Sequence, residues 1–193
     1  MSIKMVYHNI DNILCRTDLL HIIHYINKFS KSKDLLLVEI GTFQGRSTFF
    51  FSKFFNHVIT IDPYDNVNAE RDFLANLGKF NNISKIRMKS EDAVNLFNDN
   101  IIDVLYIDGN HDKEFITKDI LLWLPKIKEN GFISGHDYYK KEDVSDEEKK
   151  KGFYVGDVFY VVNKILGTPD YKDNYMNWIF QKKNIKENIY TDD

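Results

Sequence analysis

A single cysteine, Cys15, stands among the 193 residues, so the chain can close no internal disulfide and the disulfide-stapled secreted scaffolds are excluded. No apolar run approaches the roughly 18 residues of a membrane span. The opening stretch Met1 to Asp11 has no apolar signal core, and the expectation is a cytoplasmic protein with no membrane partner. Charge of one sign is scarce as well: 26 Lys and Arg against 29 Asp and Glu leave a net charge of −3. With a pI of about 6.1, the chain offers no general attraction to nucleic acid. Internal repeats and linker-like stretches are also missing, which argues for one domain over residues 1–193.

What is present is ordinary in bulk, with 43% hydrophobic and 28% charged residues, and rich in aromatics at 15%. The local pattern is more telling. Leu35 to Ile40 is an uninterrupted apolar run apart from Glu39, as expected of a strand buried on both faces, and it ends at Gly41-Thr-Phe-Gln-Gly45 before the apolar segment Phe49 to Phe55. Two glycines four apart permit a sharp turn and close approach of a ligand to the backbone. Ser47 and Thr48 then sit at the start of a helix, where hydroxyls and free N–H groups favour a carboxylate or phosphate. Glu39 adds an acceptor-only group, so a bound amino acid would suit both ends of the turn.

Upstream, Leu19 to Phe29 recurs at helical spacing with Thr17 or Asp18 as its cap; residues 1–34 read as a helical extension that starts with a surface segment. His21 and His24 read as half-exposed helix residues. Downstream, strands alternate with helices. His57 to Asp62 is a β-branched strand, Asn66 to Lys79 a helix, Ser84 to Lys89 a strand running into a helix at Ser90, and Ile101 to Ile107 another strand. A helix bearing Phe115, Ile116, Ile120, Trp123 and Leu124 follows, then a turn at Glu129 to Gly131 and a fifth strand, Phe132 to Ser134. Such alternation predicts a Rossmann-like, doubly wound α/β fold: a mostly parallel sheet of about seven strands with helices on both faces. Tyr139 to Gly152 is a charge-rich insertion, and 139–155 has the position of a lid. Gly156 to Leu166 reads as a helix and Met176 to Lys182 as an antiparallel strand at or near the sheet edge; the polar tail from Asn184 is expected to fray.

Ligands bind such sheets at the carboxyl ends of the strands. Five of those ends carry polar or glycine residues: Glu39 to Gly45, Asp62, Ser90, Asp108 to His111, and His136 with Asp137. Asp62 falls 23 residues after Glu39, near the spacing at which an acid meets the ribose hydroxyls of a nucleotide, and Tyr64 could lie against a flat base.

With those residues in hand, positions 35–182 resemble the class I S-adenosylmethionine-dependent methyltransferases, and among them the small-molecule O-methyltransferase-like group called methyltransferase family 24. Glu39-Ile-Gly41-Thr-Phe-Gln-Gly45-Arg-Ser resembles that group's first motif, Asp62-Pro63-Tyr its ribose acid, and Tyr106-Ile-Asp-Gly-Asn-His111 its fourth-strand signature. Gly131-Phe-Ile-Ser-Gly-His-Asp137-Tyr is similar to its closing segment.

The resemblance implies S-adenosyl-L-methionine as cofactor and transfer of its methyl group to a small acceptor, a sugar or other hydroxylated metabolite, most simply at oxygen. By position it sets Glu39, Gly41, Thr42, Gly45 and Ser47 around the methionine part, Asp62 and Pro63 at the ribose, Ser90 and Glu91 at the adenine, and Asp108 beside the sulfonium. It further implies a divalent metal on Asp108, His136 and Asp137. A histidine in that set suits a transition metal better than Mg²⁺. His111 and His136 are the candidate bases that would strip a hydroxyl of its proton. A small-molecule substrate is the expected partner, and a homodimer is compatible with this reading.

Two alternatives stand beside it: an NAD(P)-dependent oxidoreductase, which would share the sheet and the ribose acid, and a non-catalytic binding module on the same fold.

Overall fold

The computed structural model describes residues 16–150 and 156–185. The expected surface segment before Arg16, the tail from Lys186 and part of the insertion, residues 151–155, lie outside them.

Seven strands form one sheet in the order β3-β2-β1-β4-β5-β7-β6. They are β1 (Leu36–Ile40), β2 (His57–Ile61), β3 (Ile83–Ile86), β4 (Ile102–Ile107), β5 (Ile127–Gly135), β6 (Tyr171–Lys172) and β7 (Trp178–Gln181). The first five pair in parallel; β7 pairs antiparallel with β5 and with β6. From β1 the chain winds outward through β2 and β3, then returns to place β4 on the other side of β1. This reversal opens a crevice at the carboxyl ends of β1 and β4.

Strand alternation divides the core into two layers. Val38, Ile40, Leu105, Ile107 and Ile133 face helices α5 (Lys113–Trp123) and α6 (Val158–Ile165), which contribute Ile116, Ile120, Trp123, Val158 and Val162. Leu37, Val58, Val104 and Phe132 face the opposite layer, built from α1 (Leu20–Ile26) and α2 (Arg46–Ser52) with Ile22, Ile26, Phe50 and Phe51. Helix α3 (Val67–Leu77) packs Phe73 and Leu77 against Tyr64 in a small third cluster. Tyr64 is therefore a core residue, 1% exposed, and does not lie in the crevice where a base could stack on it. Among the described residues, no helix is long and apolar enough to cross a membrane.

Some boundaries differ from the sequence reading, each for a local reason. The turn expected at Glu129 to Gly131 is a bulge inside β5: Ile102 pairs Ile127 and Val104 pairs Phe132, so the exposed Lys128, Glu129 and Asn130 loop out of the ladder. Strand β6 has two residues, too few to carry a period, and it takes the edge expected of β7. Helix α4 (Ser90–Ala93) ends after four residues and continues as a 3₁₀ turn. Asp18 does not cap α1, because its carboxylate accepts the Arg16 Nε–H at 3.1 Å. His21, on the exposed side of α1, meets Tyr171 Oη at 3.1 Å.

Phe51 is fully buried and meets the Tyr106 ring edge-on at 4.9 Å between centroids. Replacing it by alanine should cost roughly 3–5 kcal/mol. Phe43, 56% exposed, should tolerate the same change within about 0.5 kcal/mol. Urea denaturation of the two variants measures the contrast, and similar losses would contradict this assignment of the core.

Candidate active site

At the carboxyl edge of the sheet lies a cleft of about 560 Å³, bounded by the loops after β1, β2, β3 and β4 and by one face of α5. Its shape begins at Gly41. That residue has φ +85°, and a methyl group on it would overlap the Asp108 carbonyl. The Asp108 N–H donates to Ile40 O at 2.8 Å, so the two strand tips abut and then diverge around the cleft. Gly45, also left-handed at φ +83°, has another reason to be glycine: a side chain there would strike Phe73 and Leu77 of α3. It shapes the turn from behind.

The positions named from the sequence fall into two groups. Gly41, Asp62, Pro63, Ser90, Glu91 and Asp108 line the cleft. Thr42, Gly45, Ser47 and Glu39 lie behind its wall. Asp62 organises the first loop. Its Oδ2 accepts the backbone N–H groups of Thr42 and Phe43, both at 2.9 Å, and its Oδ1 accepts that of Tyr64 at 2.7 Å. These bonds hold Phe43 and Tyr64 in left-handed conformations, φ +49° and +54°, that non-glycine residues adopt at a cost of about 1–2 kcal/mol each.

Glu39 is completely buried. Its Oε2 accepts hydroxyl protons from Thr48 and, at 2.9 Å, from Thr60, while Oε1 has no hydrogen-bond partner among the described residues. Burial pushes its carboxyl up to about 7, against the pull of the Ser47, Thr48 and Thr60 hydroxyls. Directly beside it in the sheet, Tyr106 is also completely buried and its hydroxyl lacks a partner among the described residues.

At the other end of the cleft, Asp108 approaches the turn after β5. His111 Nε2 lies 3.7 Å from Asp108 Oδ1 and 3.2 Å from Asp137 Oδ2; His136 Nδ1 reaches that same Asp137 oxygen at 3.2 Å. Burial alone would lower both imidazoles. The carboxylates of Asp108 and Asp137 facing His111, and for His136 its contact with Asp137, outweigh it and raise both. For Asp137 burial acts upward, and the two histidines bring the net value down. Asp137 sits at φ +60°, a conformation that Asp tolerates better than most residues.

The metal trio named from the sequence was Asp108, His136 and Asp137. Here Asp108, His111 and Asp137 each offer a ligand atom within 4.8 Å of the others, and His136 stands on the flank of Asp137. Gly156, after the insertion, backs onto this group: a side chain on it would press on His111 Cβ at 2.5 Å, and the Asp157 N–H donates to His111 O at 2.8 Å. Lys141 reaches Asp157 at 2.7 Å, so both ends of the insertion are tied beside His111.

Several contributors escaped the sequence reading. Asp119 and Phe115 of α5 line the cleft, as do Phe43 and Asn66. Asp119 carried a signal, since it is an acid on the helix face of Ile116, Ile120 and Trp123. Arg16 had none; its guanidinium is largely buried, and the carboxylates of Asp18 and Asp108 stabilise its charge against that burial.

Comparison with known proteins decides the family. The model of a family described as a methyltransferase domain matches residues 38–138, just over half the chain and the segment carrying all five polar strand tips. The chain belongs to this methyltransferase family. An uncharacterised protein of Acanthamoeba polyphaga mimivirus is 33% identical over 141 residues, 66% of this chain and 63% of the relative, so the chain spans under two thirds of that relative's length. Among solved structures, the N-methyltransferase NodS of Bradyrhizobium japonicum superposes with a TM-score of 0.59 at 12% identity, covering 86% of this chain and 92% of that one. A protein of Corynebacterium glutamicum does so at 0.60 and 8% identity, over 92% of each. These two likenesses show the Rossmann-like α/β fold, and the family membership speaks against the oxidoreductase alternative.

The buried acid behind the cleft makes a stability prediction. Glu39 holds its proton more tightly folded, at about 7, than unfolded, at 4.5. The folded state is therefore favoured most below 4.5 and loses that advantage as pH rises from 4.5 through 7. A shift of this size corresponds to roughly 3 kcal/mol. Glu39→Gln, which cannot ionise, should gain up to about that much relative to wild type between pH 5 and pH 8 in urea titrations. A difference that stays constant with pH would show that the carboxyl is not strained by burial.

Proposed function

We propose that the protein is an S-adenosylmethionine-dependent methyltransferase that transfers a methyl group to a hydroxyl oxygen of a small acceptor. The observation that carries this reading is the continuity of Asp108, which belongs both to the cleft wall and to the cluster with His111 and Asp137. Cofactor and acceptor sites would thus meet at one side chain.

The cleft fits the cofactor on its own features. Gly41 keeps side-chain bulk out of the point where β1 and β4 meet, and Asp62 lines the cleft with an Oδ1 that accepts one backbone N–H and has room for one ribose hydroxyl. When bound, the cofactor supplies a methyl group on a sulfonium. The protein's task is to align the acceptor oxygen with that methyl carbon and to take its proton. His111, between two carboxylates that stabilise an imidazolium, is the group to receive the proton; Asp108 and Asp137 orient the ring and carry the compensating charge. As the oxygen forms its bond to carbon, the electron pair of the broken carbon–sulfur bond stays on sulfur.

The same three side chains support a second reading. Two carboxylates and an imidazole form a donor set for a divalent transition metal, which would lower the acceptor hydroxyl's pKa; Mg²⁺, which prefers oxygen ligands alone, fits less well.

Two measurements test these readings. Calorimetry with S-adenosylhomocysteine should show one site, and methyl transfer to a panel of sugars and other hydroxylated metabolites should fall about 100-fold or more in His111→Ala while affinity for that nucleoside stays within about threefold. Absence of binding refutes the cofactor assignment; binding without transfer to any acceptor favours the non-catalytic module. In thermal-shift titrations, the metal reading expects stabilisation by Mn²⁺ or Zn²⁺ that exceeds the effect of Mg²⁺ and disappears in Asp137→Asn.

A further inference from the structure

The two ends of the insertion after β5 close on each other behind His111. At the first end, the Tyr139 N–H donates to Asp137 O at 3.0 Å, and the Tyr139 hydroxyl meets the Gly156 backbone. Lys141 Nζ reaches Asp157 Oδ1 at 2.7 Å, and the Lys141 N–H donates to Tyr160 Oη at 3.1 Å. Tyr160 in turn donates to Glu142 Oε2 at 2.5 Å. At the second end, Gly156 and Asp157 lead into α6.

Gly156 does not take a left-handed φ, so its backbone conformation is open to any residue. What demands glycine is contact: a side chain there would begin 2.5 Å from His111 Cβ and 3.0 Å from His111 O. Asp157 stands just before α6, where an aspartate commonly caps a helix, yet its side chain makes no capping hydrogen bond. It faces Lys141 instead, while its N–H donates to His111 O at 2.8 Å. The charges of Asp157 and, secondarily, Tyr160 and Asp112 act on Lys141. The Lys141 and Asp157 side chains are 40% and 29% exposed, and an ion pair that open to water adds little to stability. What it fixes is the place of Asp157.

His111 has need of a fixed support. It lies in the loop between β4 and α5, outside regular structure, and its Nε2 stands 3.7 Å from Asp108 Oδ1 and 3.2 Å from Asp137 Oδ2. We infer that Gly156 and Asp157 are positioning residues that set the His111 ring between those two carboxylates, with Lys141 holding Asp157 in place. This rests on the reading of His111 as the proton acceptor. The match to the methyltransferase family ends at residue 138, so the support comes from the part of the chain beyond it. Catalytic geometry is sensitive to such support, since a displacement of about 1 Å can cost on the order of 100-fold in rate.

The test uses the full chain, S-adenosylmethionine and the acceptor panel above. Gly156→Ala should lower kcat about tenfold or more and Lys141→Met about threefold or more, with affinity for S-adenosylhomocysteine within about threefold of wild type. Lys149→Ala, in the same insertion but paired with Asp146, should leave kcat unchanged. In a His111→Ala background, Gly156→Ala should lower kcat no further, because the ring it positions is gone. A second readout needs no acceptor. The imidazole ¹H–¹⁵N correlation of His111, identified by its loss in His111→Ala, should move in Gly156→Ala and Lys141→Met and stay in place in Lys149→Ala. An equal loss from Gly156→Ala with and without His111, an equal loss in Lys149→Ala, or an unmoved His111 resonance in the folded variants would each overturn the inference while leaving methyl transfer intact. If Gly156→Ala does not fold, the surface variant Lys141→Met decides by both readouts. Wild type that transfers no methyl group would overturn the proposed function, and the resonance would still decide whether the insertion sets the ring.

Discussion

The tips of β1 and β4 touch where Gly41 bends left-handed beneath the Asp108 carbonyl, and the site depends on that contact. The Asp108 N–H continues the ladder to Ile40 O at 2.8 Å, so the strands stay in register up to the last residue and separate immediately after it. Any side chain at position 41 would wedge them apart. Because the following connections run to opposite sides of the sheet, the separation becomes a crevice, and Asp108 is held in its wall by the backbone bond to Ile40.

Around that crevice the chain places acids of unlike character. Glu39, enclosed by hydroxyls, and Asp119, enclosed by apolar side chains and one hydroxyl, are both pushed upward by burial. Asp137, beside His111 and His136, is held below the usual carboxylate range. Environment thus divides the labour: a permanent anion stands where an imidazolium must be stabilised, while the more basic acids sit as acceptors against the cleft and behind its wall. Burying Glu39, whose Oε1 is unmatched among the described residues, and holding Phe43, Tyr64 and Asp137 in left-handed conformations all oppose folding. The two apolar layers on either side of the sheet offset these terms.

Legibility followed from how local each signal was. Strands β1, β2 and β4 were readable because both their faces are buried and the apolar run is continuous; β6, two residues long, has no pattern to read. The bulge in β5 reads as a turn in the sequence because its polar residues look alike in either setting. Among site residues, those at strand ends after glycine or before proline were visible as punctuation. Asp119 lies within a helix, and its hydrogen-bond partner Ser90 is 29 residues away.

The sequence by itself determined the alternation of strands and helices, the glycine turn and the set of polar strand ends, because each is encoded by neighbours a few positions apart. Only the tertiary structure decided which of those ends reach the cleft, that His111 joins Asp108 and Asp137 while His136 stays on the flank, and that Ser90 spends its proton on Asp119. Those outcomes depend on the sheet order and on the angle at which α5 crosses it. Both are set by packing between segments far apart in the chain, where no local pattern records which side chain faces which.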